Sequence, residues 1–176
     1  MNIFVAGIHG VGKTHVASRL SPSYGLLHTS ASKLIREERT LPNWNTDKRV
    51  TDVDANQVAL AAAVARYNGQ GTRLLLDGHF VLLDPNAQFI ALEAQVFQSL
   101  SLSAVILIQA DAKVIAERLK ARDAKDWNLQ WLNDFMTTER NIAQTVSQEL
   151  RIPLHIVVSA NNQEFERAVA TCISNE

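Results

Sequence analysis

Apolar positions along this chain fall into two rhythms. Asn2–Ala6, Thr72–Asp77, Ala104–Gln109 and Pro153–Val158 are short, nearly unbroken apolar runs, the pattern of strands covered on both faces. Leu26–Thr29 is a shorter fifth strand candidate. Between these runs the apolar residues recur at helical spacing, which predicts helices over Lys13–Leu20, Ser32–Arg39, Asp52–Asn68, Ala87–Leu100, Ala112–Arg122, Trp127–Leu150 and Gln163–Ile173. The longest carries Leu129, Leu132, Phe135, Met136, Ile142, Ala143, Val146 and Leu150 on its stripe, and the last carries Phe165, Ala168, Val169, Cys172 and Ile173. Asp111 stands where an N-cap is wanted, and Asn161 with Glu164 resembles a capping box. Strands alternating with helices predict an α/β fold around a parallel sheet. With no internal repeat, low-complexity stretch or dividing linker, residues 1–176 read as a single domain.

Composition narrows the classes. Seventeen basic and eighteen acidic residues leave a formal charge of −1, too little for a global field that gathers nucleic acid or an acidic membrane. Nucleic acid is therefore an unexpected partner, while a macromolecular partner of another kind stays open. Ile3–Ala6 is a short apolar run closed by glycine, so neither a signal peptide nor a membrane span is expected. Cys172, the one cysteine, sits on an apolar helical stripe and suits packing in a reducing compartment, so a cytoplasmic location is expected. Segment 40–51, with Pro42, Asn43, Trp44, Asn45, Asp47, Lys48 and Arg49, is polar around one tryptophan. It reads either as a loop on the substrate side or as plain surface with Trp44 packed back.

The chemistry starts at Gly7-Ile8-His9-Gly10-Val11-Gly12-Lys13-Thr14, which satisfies G-x-x-x-x-G-K-[ST] between an apolar strand and a helical pattern. Glycines there allow the backbone to wrap closely round a phosphate, and the helix that follows turns free N–H groups and its positive end toward the anion. The expected nucleotide contacts are Gly7, His9, Gly10, Val11, Gly12, Lys13, Thr14 and His15. Lys13 reaches the outer phosphates and the Thr14 hydroxyl holds magnesium. The spacing is wrong for the dinucleotide fingerprint G-x-G-x-x-G. A second element, Leu74-Leu75-Leu76-Asp77-Gly78-His79, ends an apolar strand in an acid suited to the metal or to the acceptor hydroxyl. His79 either touches the acceptor or is a polar strand end.

Arg118 and Arg122 are four apart and project from one helix face, where two guanidinium groups can neutralise a transferring phosphoryl group or form a solvated face. Ser32, Lys33, Arg36 and Arg39 follow the second strand, at the sheet edge where open α/β sheets bind ligands. Gln57 is a candidate for reading a base edge. The candidate catalytic set is thus Lys13, Asp77, Arg118 and Arg122; Thr14 and Asp77 form the metal set; Ser32, Arg36, Gln57 and His79 form the acceptor set. The five histidines show no metal-ligand spacing with cysteine.

Taken in order, these segments resemble the adenylate-kinase-like nucleoside monophosphate kinases, nearest in layout to the compact archaeal-type adenylate kinases and related ATPases. The resemblance implies a three-layer α/β/α P-loop NTPase fold with a five-stranded parallel sheet in order 2-3-1-4-5. It gives Arg36 the role of binding the acceptor's phosphate and makes Arg118-x-x-x-Arg122-Asp123 the arginine pair that opens a lid. That lid, 122–128, is short here. Ala31-Ser32-Lys33 replaces the family's usual Thr-Gly-Asp, the usual arginine after Asp77-Gly78 is replaced by His79-Phe80-Val81, and Arg140 is the one candidate for a later lid arginine. The implied reaction is transfer of the ATP γ-phosphate to a small acceptor, a nucleoside monophosphate first, with Mg²⁺. A P-loop ATPase or nucleotide switch working with a macromolecule and a small-metabolite kinase are the alternatives.

Overall fold

The structure is a computed structural model and describes residues 1–40, 53–158 and 161–174. Five parallel strands form the main sheet: β1 (Asn2–Ala6), β2 (Leu26–Ser30), β3 (Arg73–Asp77), β6 (Leu102–Gln109) and β7 (Leu154–Val158), in the order β2-β3-β1-β6-β7. Between β3 and β6 lies a separate antiparallel hairpin of β4 (Val81–Leu83) and β5 (Phe89–Ala91). Counted within the main sheet alone, the order is the expected 2-3-1-4-5. The helices are α1 (Lys13–Leu20), α2 (Ala31–Arg39), α3 (Val53–Gly69), α4 (Ala94–Gln98), α5 (Ala112–Asp123), α6 (Leu129–Leu150) and α7 (Asn162–Ser174).

Strand periodicity splits the core in two. Ile3 and Val5 of β1 face one side, where Val16 and Ala17 of α1, Ile115 and Leu119 of α5 and Phe165 and Val169 of α7 meet Ile106 and Ile108. Phe4 and Ala6 face the other, against Leu34 of α2, Leu60 and Val64 of α3, Phe97 of α4 and Ala143 and Val146 of α6. Every residue of β1 is buried, which is why the central strand reads as unbroken apolar sequence. Its one polar member, Asn2, is matched on both sides: Nδ2 donates to the Leu100 carbonyl at 2.8 Å and Oδ1 accepts from the Leu74 amide at 2.9 Å. Cys172 is buried in the first of the two cores.

Two departures from the sequence pattern matter. The stretch expected as one helix over Ala87–Leu100 is instead β5, a connection and the short α4. Turn chemistry overrides helical period there: Asp84 Oδ1 accepts from the Asn86 and Gln88 amides at 2.8 Å each, Pro85 follows, and Ala87 sits at φ 61°. The long helix starts at Leu129 rather than Trp127, because the Asn128 side chain caps it by accepting from the Trp131 amide. Segment 40–51 lies outside the described residues apart from Thr40.

Candidate functional site

Sheet register brings the chemical residues to one edge. Val5 pairs with Asp77, and Ser30 pairs with Asp77 from the other side. The loop after β1, the acid ending β3 and the N-cap of α2 therefore lie side by side at the carboxyl ends of the strands, where α/β sheets open a crevice.

The loop between β1 and α1 has the backbone its glycines allow: φ is 137° at Gly7, 85° at Gly10 and 102° at Gly12. A Cβ on Gly7 would collide with the Ile108 carbonyl oxygen. Gly12 is the N-cap of α1 and has no side chain to occupy the free amides of the first turn. Lys13 is buried, with Nζ donating to the Gly7 carbonyl at 2.6 Å and lying 3.7 Å from Asp77 Oδ1. Burial lowers its pKa, opposed by the charges of Asp77 and Glu139. The Thr14 hydroxyl donates to Asp77 Oδ2 at 2.9 Å. A hydroxyl and a carboxylate meeting at hydrogen-bond distance are the hard oxygen donors a magnesium ion takes, so the residues present fit that ion. Burial pushes the Asp77 carboxyl up, but His28, the Lys13 charge and the Thr14 hydroxyl outweigh it and hold the group below its ordinary value. His28 Nε2 stands 3.8 Å from Asp77 Oδ2.

Above the loop two imidazoles meet, His9 and His79, with ring centroids 4.4 Å apart. Burial lowers both pKa values, followed in each case by the Lys13 charge; His79 is driven well below the usual histidine range.

A cavity of about 1360 Å³ opens from this loop. His9, Gly10, Gly12, Lys13, Thr14, His15 and Asp77 form one end, with Arg122. Ser32 and Ile35 of α2, Gln57 and Leu60 of α3, and His79, Leu82, Leu83 and Ile90 at the hairpin side form the rest. Gln57 Oε1 is buried and has no partner among the described residues. So the cavity gathers Ser32, Gln57 and His79 but not Arg36, which is exposed and absent from its described lining. Arg118 has a different place as well: its Nη1 donates to the carbonyls of Gly10 and Val11 at 3.2 and 3.1 Å, bracing the outside of the loop. Arg122 is paired with Asp123 through Nε–Oδ1 and Nη2–Oδ2 contacts of 2.6 and 2.7 Å, and that pairing raises its pKa. Only Ala124–Asn128 joins α5 to α6.

The sequence reading passed over Glu139. This residue of α6 is 1 % exposed and accepts from the backbone amides of Gly7, Phe80 and Val81. Burial raises its pKa, opposed by those amides and by Lys13. A signal existed: Leu132, Phe135, Glu139 and Ala143 follow one helical stripe, and a carboxylate on an apolar stripe needs a reason.

Residues 6–133 match the family described as AAA domain. An adenylate kinase of Synechococcus sp. (strain WH7803) is 34% identical over 134 residues, covering 69% of this chain and 69% of that protein. The chain belongs to the adenylate-kinase-like P-loop family. A protein of Thermococcus onnurineus (strain NA1), provisionally named an adenylate kinase, is 31% identical over 122 residues, and this chain spans only about 56% of its length. A gluconokinase from Sinorhizobium meliloti 1021 shares the fold, with a TM-score of 0.57 at 16% identity over 99% of this chain and 94% of that one. The family agrees with the loop geometry and with the order of the main sheet. No helix among the described residues is long and apolar enough to cross a membrane.

Proposed function

We propose that this protein transfers the γ-phosphate of ATP to a small acceptor held in the same cavity. The observation that carries the reading is the continuity of that cavity: one 1360 Å³ space runs from Lys13, Thr14 and Asp77 to the walls of α2, α3 and the hairpin. This exceeds the roughly 300–1,000 Å³ usual for a single small ligand and leaves room for donor and acceptor together.

Catalysis on this reading is positioning and charge neutralisation. The amides of Gly10, Gly12 and Lys13 cradle the phosphates. The Lys13 ammonium exchanges the Gly7 carbonyl for phosphate oxygens. Thr14 and Asp77 would hold a magnesium ion, which when bound offsets charge on the phosphate oxygens. Arg122, freed from Asp123, turns its fork toward the transferring group, while Arg118 keeps the loop in shape. Residues 122–128 act as the short lid that excludes water.

The relatives favour a nucleoside monophosphate as acceptor, with Gln57 offering its unpartnered carbonyl to a base and Ser32 and His79 beside it. Arg36 would reach the acceptor's phosphate on closure. A second reading, a kinase of an uncharged small metabolite, is favoured by the placement of Arg36 outside the cavity and by walls of Ile35, Leu60, Leu82, Leu83 and Ile90. An ATPase or switch driven by a macromolecule is the third. A cytoplasmic location fits the use of ATP and a single buried cysteine.

A panel of monophosphates, sugars and alcohols with MgATP, read as ADP release, separates these readings. Acceptor-dependent ADP formation with monophosphates supports the first and with neutral alcohols the second. Hydrolysis that responds to neither contradicts both.

A further inference from the structure

The loop that would cradle the phosphates and the turn that would face the acceptor are far apart in sequence, yet one side chain holds both. Glu139 Oε1 accepts from the Gly7 amide at 3.2 Å and from the Phe80 amide at 3.0 Å; Oε2 accepts from Phe80 at 3.1 Å and from Val81 at 2.8 Å. Its partners lie 132, 59 and 58 residues away along the chain. Gly7 opens the phosphate loop. Phe80 and Val81 follow Asp77, Gly78 and His79, and Val81 begins β4, whose Leu82 and Leu83 wall the cavity.

The choice of residue type is informative. A buried carboxylate is costly unless it is well matched. Three backbone N–H donors aimed at one point require a group that only accepts, which an ionised carboxylate does and a carboxamide does not. An apolar side chain would fill the same space and leave all three amides unsatisfied. His79 Nδ1 lies nearby, 3.9 Å from Glu139 Oε1 and beyond hydrogen-bond distance.

We propose that Glu139 is a positioning residue that ties the nucleotide loop to the acceptor-side turn, so that occupation of one is transmitted to the other and the two substrates are held in register. The catalytic half of this rests on the phosphotransfer reading above; the mechanical half does not.

The test is Glu139→Gln, which keeps the shape but turns a carboxamide NH₂ toward an amide donor, with Glu139→Asp as a second variant that keeps the charge. Metal-free ADP is titrated into each protein, and the backbone amide signals of Gly7, Phe80 and Val81 are followed by NMR. In the wild type all three move together with ADP. In Glu139→Gln the Gly7 signal moves and those of Phe80 and Val81 do not. At a temperature where the variant is fully folded, kcat falls about 10–100-fold while the ATP dissociation constant changes about threefold or less. Should Glu139→Gln fail to fold, the same readings on Glu139→Asp decide, with weakened coupling and reduced kcat expected. Phe80 and Val81 signals that still follow ADP, or a kcat within about twofold of wild type, overturn the proposal. A wild type without turnover on any acceptor defeats the phosphotransfer reading instead, and the amide titration then decides the mechanical claim on its own.

Discussion

Single residues set the electrostatics of the site. Lys13, Asp77, His9, His79 and Glu139 lie together, and their charges are balanced against burial rather than against water. The histidines give this a pH signature. An imidazole whose folded pKa lies below its ordinary 6.5 binds a proton less readily in the folded chain. Between the two values the unfolded chain holds more protons, so stability rises with pH and falls on acidification. A group held well below 6.5, as His79 is, removes at most about 1.4 kcal/mol per pH unit below about 6.5, until its folded pKa is reached. Asp77 acts lower: its contribution is present above its ordinary 3.8 and is lost as pH falls through its depressed folded value. The histidine contribution should lower thermal midpoints between pH 7 and pH 5, against the opposite contribution of Glu139, whose folded pKa is raised above 4.5, and His79→Asn should remove its share; equal slopes in both proteins would show that His79 is not the group. Gly78 offers a steric test. A Cβ there would meet the Phe4 ring at 2.6 and 2.7 Å, and Phe4 is wedged between Phe80 and Phe97. Gly78→Ala should cost about 1–3 kcal/mol in urea unfolding.

Among the elements, the β4–β5 hairpin is what most distinguishes this chain from a bare sheet-and-helix core. It fastens to α6 through an aromatic group: Phe89 stacks on Phe135 at 5.1 Å between centroids and lies 5.5 Å from Trp131. Phe89→Ala should lower stability by about 1–3 kcal/mol, less than for a fully buried ring because Phe89 is half-exposed. Since Leu83 and Ile90 wall the cavity, KM for the acceptor should rise more than KM for ATP. Equal changes in the two constants would detach the hairpin from acceptor binding. The hairpin also marks where sequence reading ran out. The P-loop was legible because every part of it is local and its spacing is set by backbone geometry. The main-sheet strands were legible because burial on both faces leaves unbroken apolar runs. The hairpin was hidden because Ala87, Ile90, Ala94 and Phe97 suit a helical stripe, and it takes the turn at Asp84, whose side chain accepts from two nearby amides, to bring the chain back. Glu139 was legible only as a carboxylate on an apolar stripe, its partners being brought to it by the fold, and the exposure of Arg36 was hidden because a basic helix face looks the same in sequence whether or not it faces a ligand.

At the scale of the molecule, parallel register gathers three strand ends at one edge and so makes a single site from the segments after β1, β2 and β3. α6 spans both halves of that site. Its first turns carry the aromatic support of the hairpin, its middle carries Glu139, and Ala143 and Val146 pack in the core beneath the α2–α3 side. Whatever acceptor the proposed transfer uses, the account depends on nucleotide being held by the glycine loop and Lys13. Calorimetric titration of MgATP into the wild type and into Lys13→Met tests this directly. The account predicts one nucleotide bound per chain in the wild type and affinity weakened about 100-fold or more when the buried ammonium is removed. Absence of binding to the wild type, or equal binding by both proteins, would contradict it.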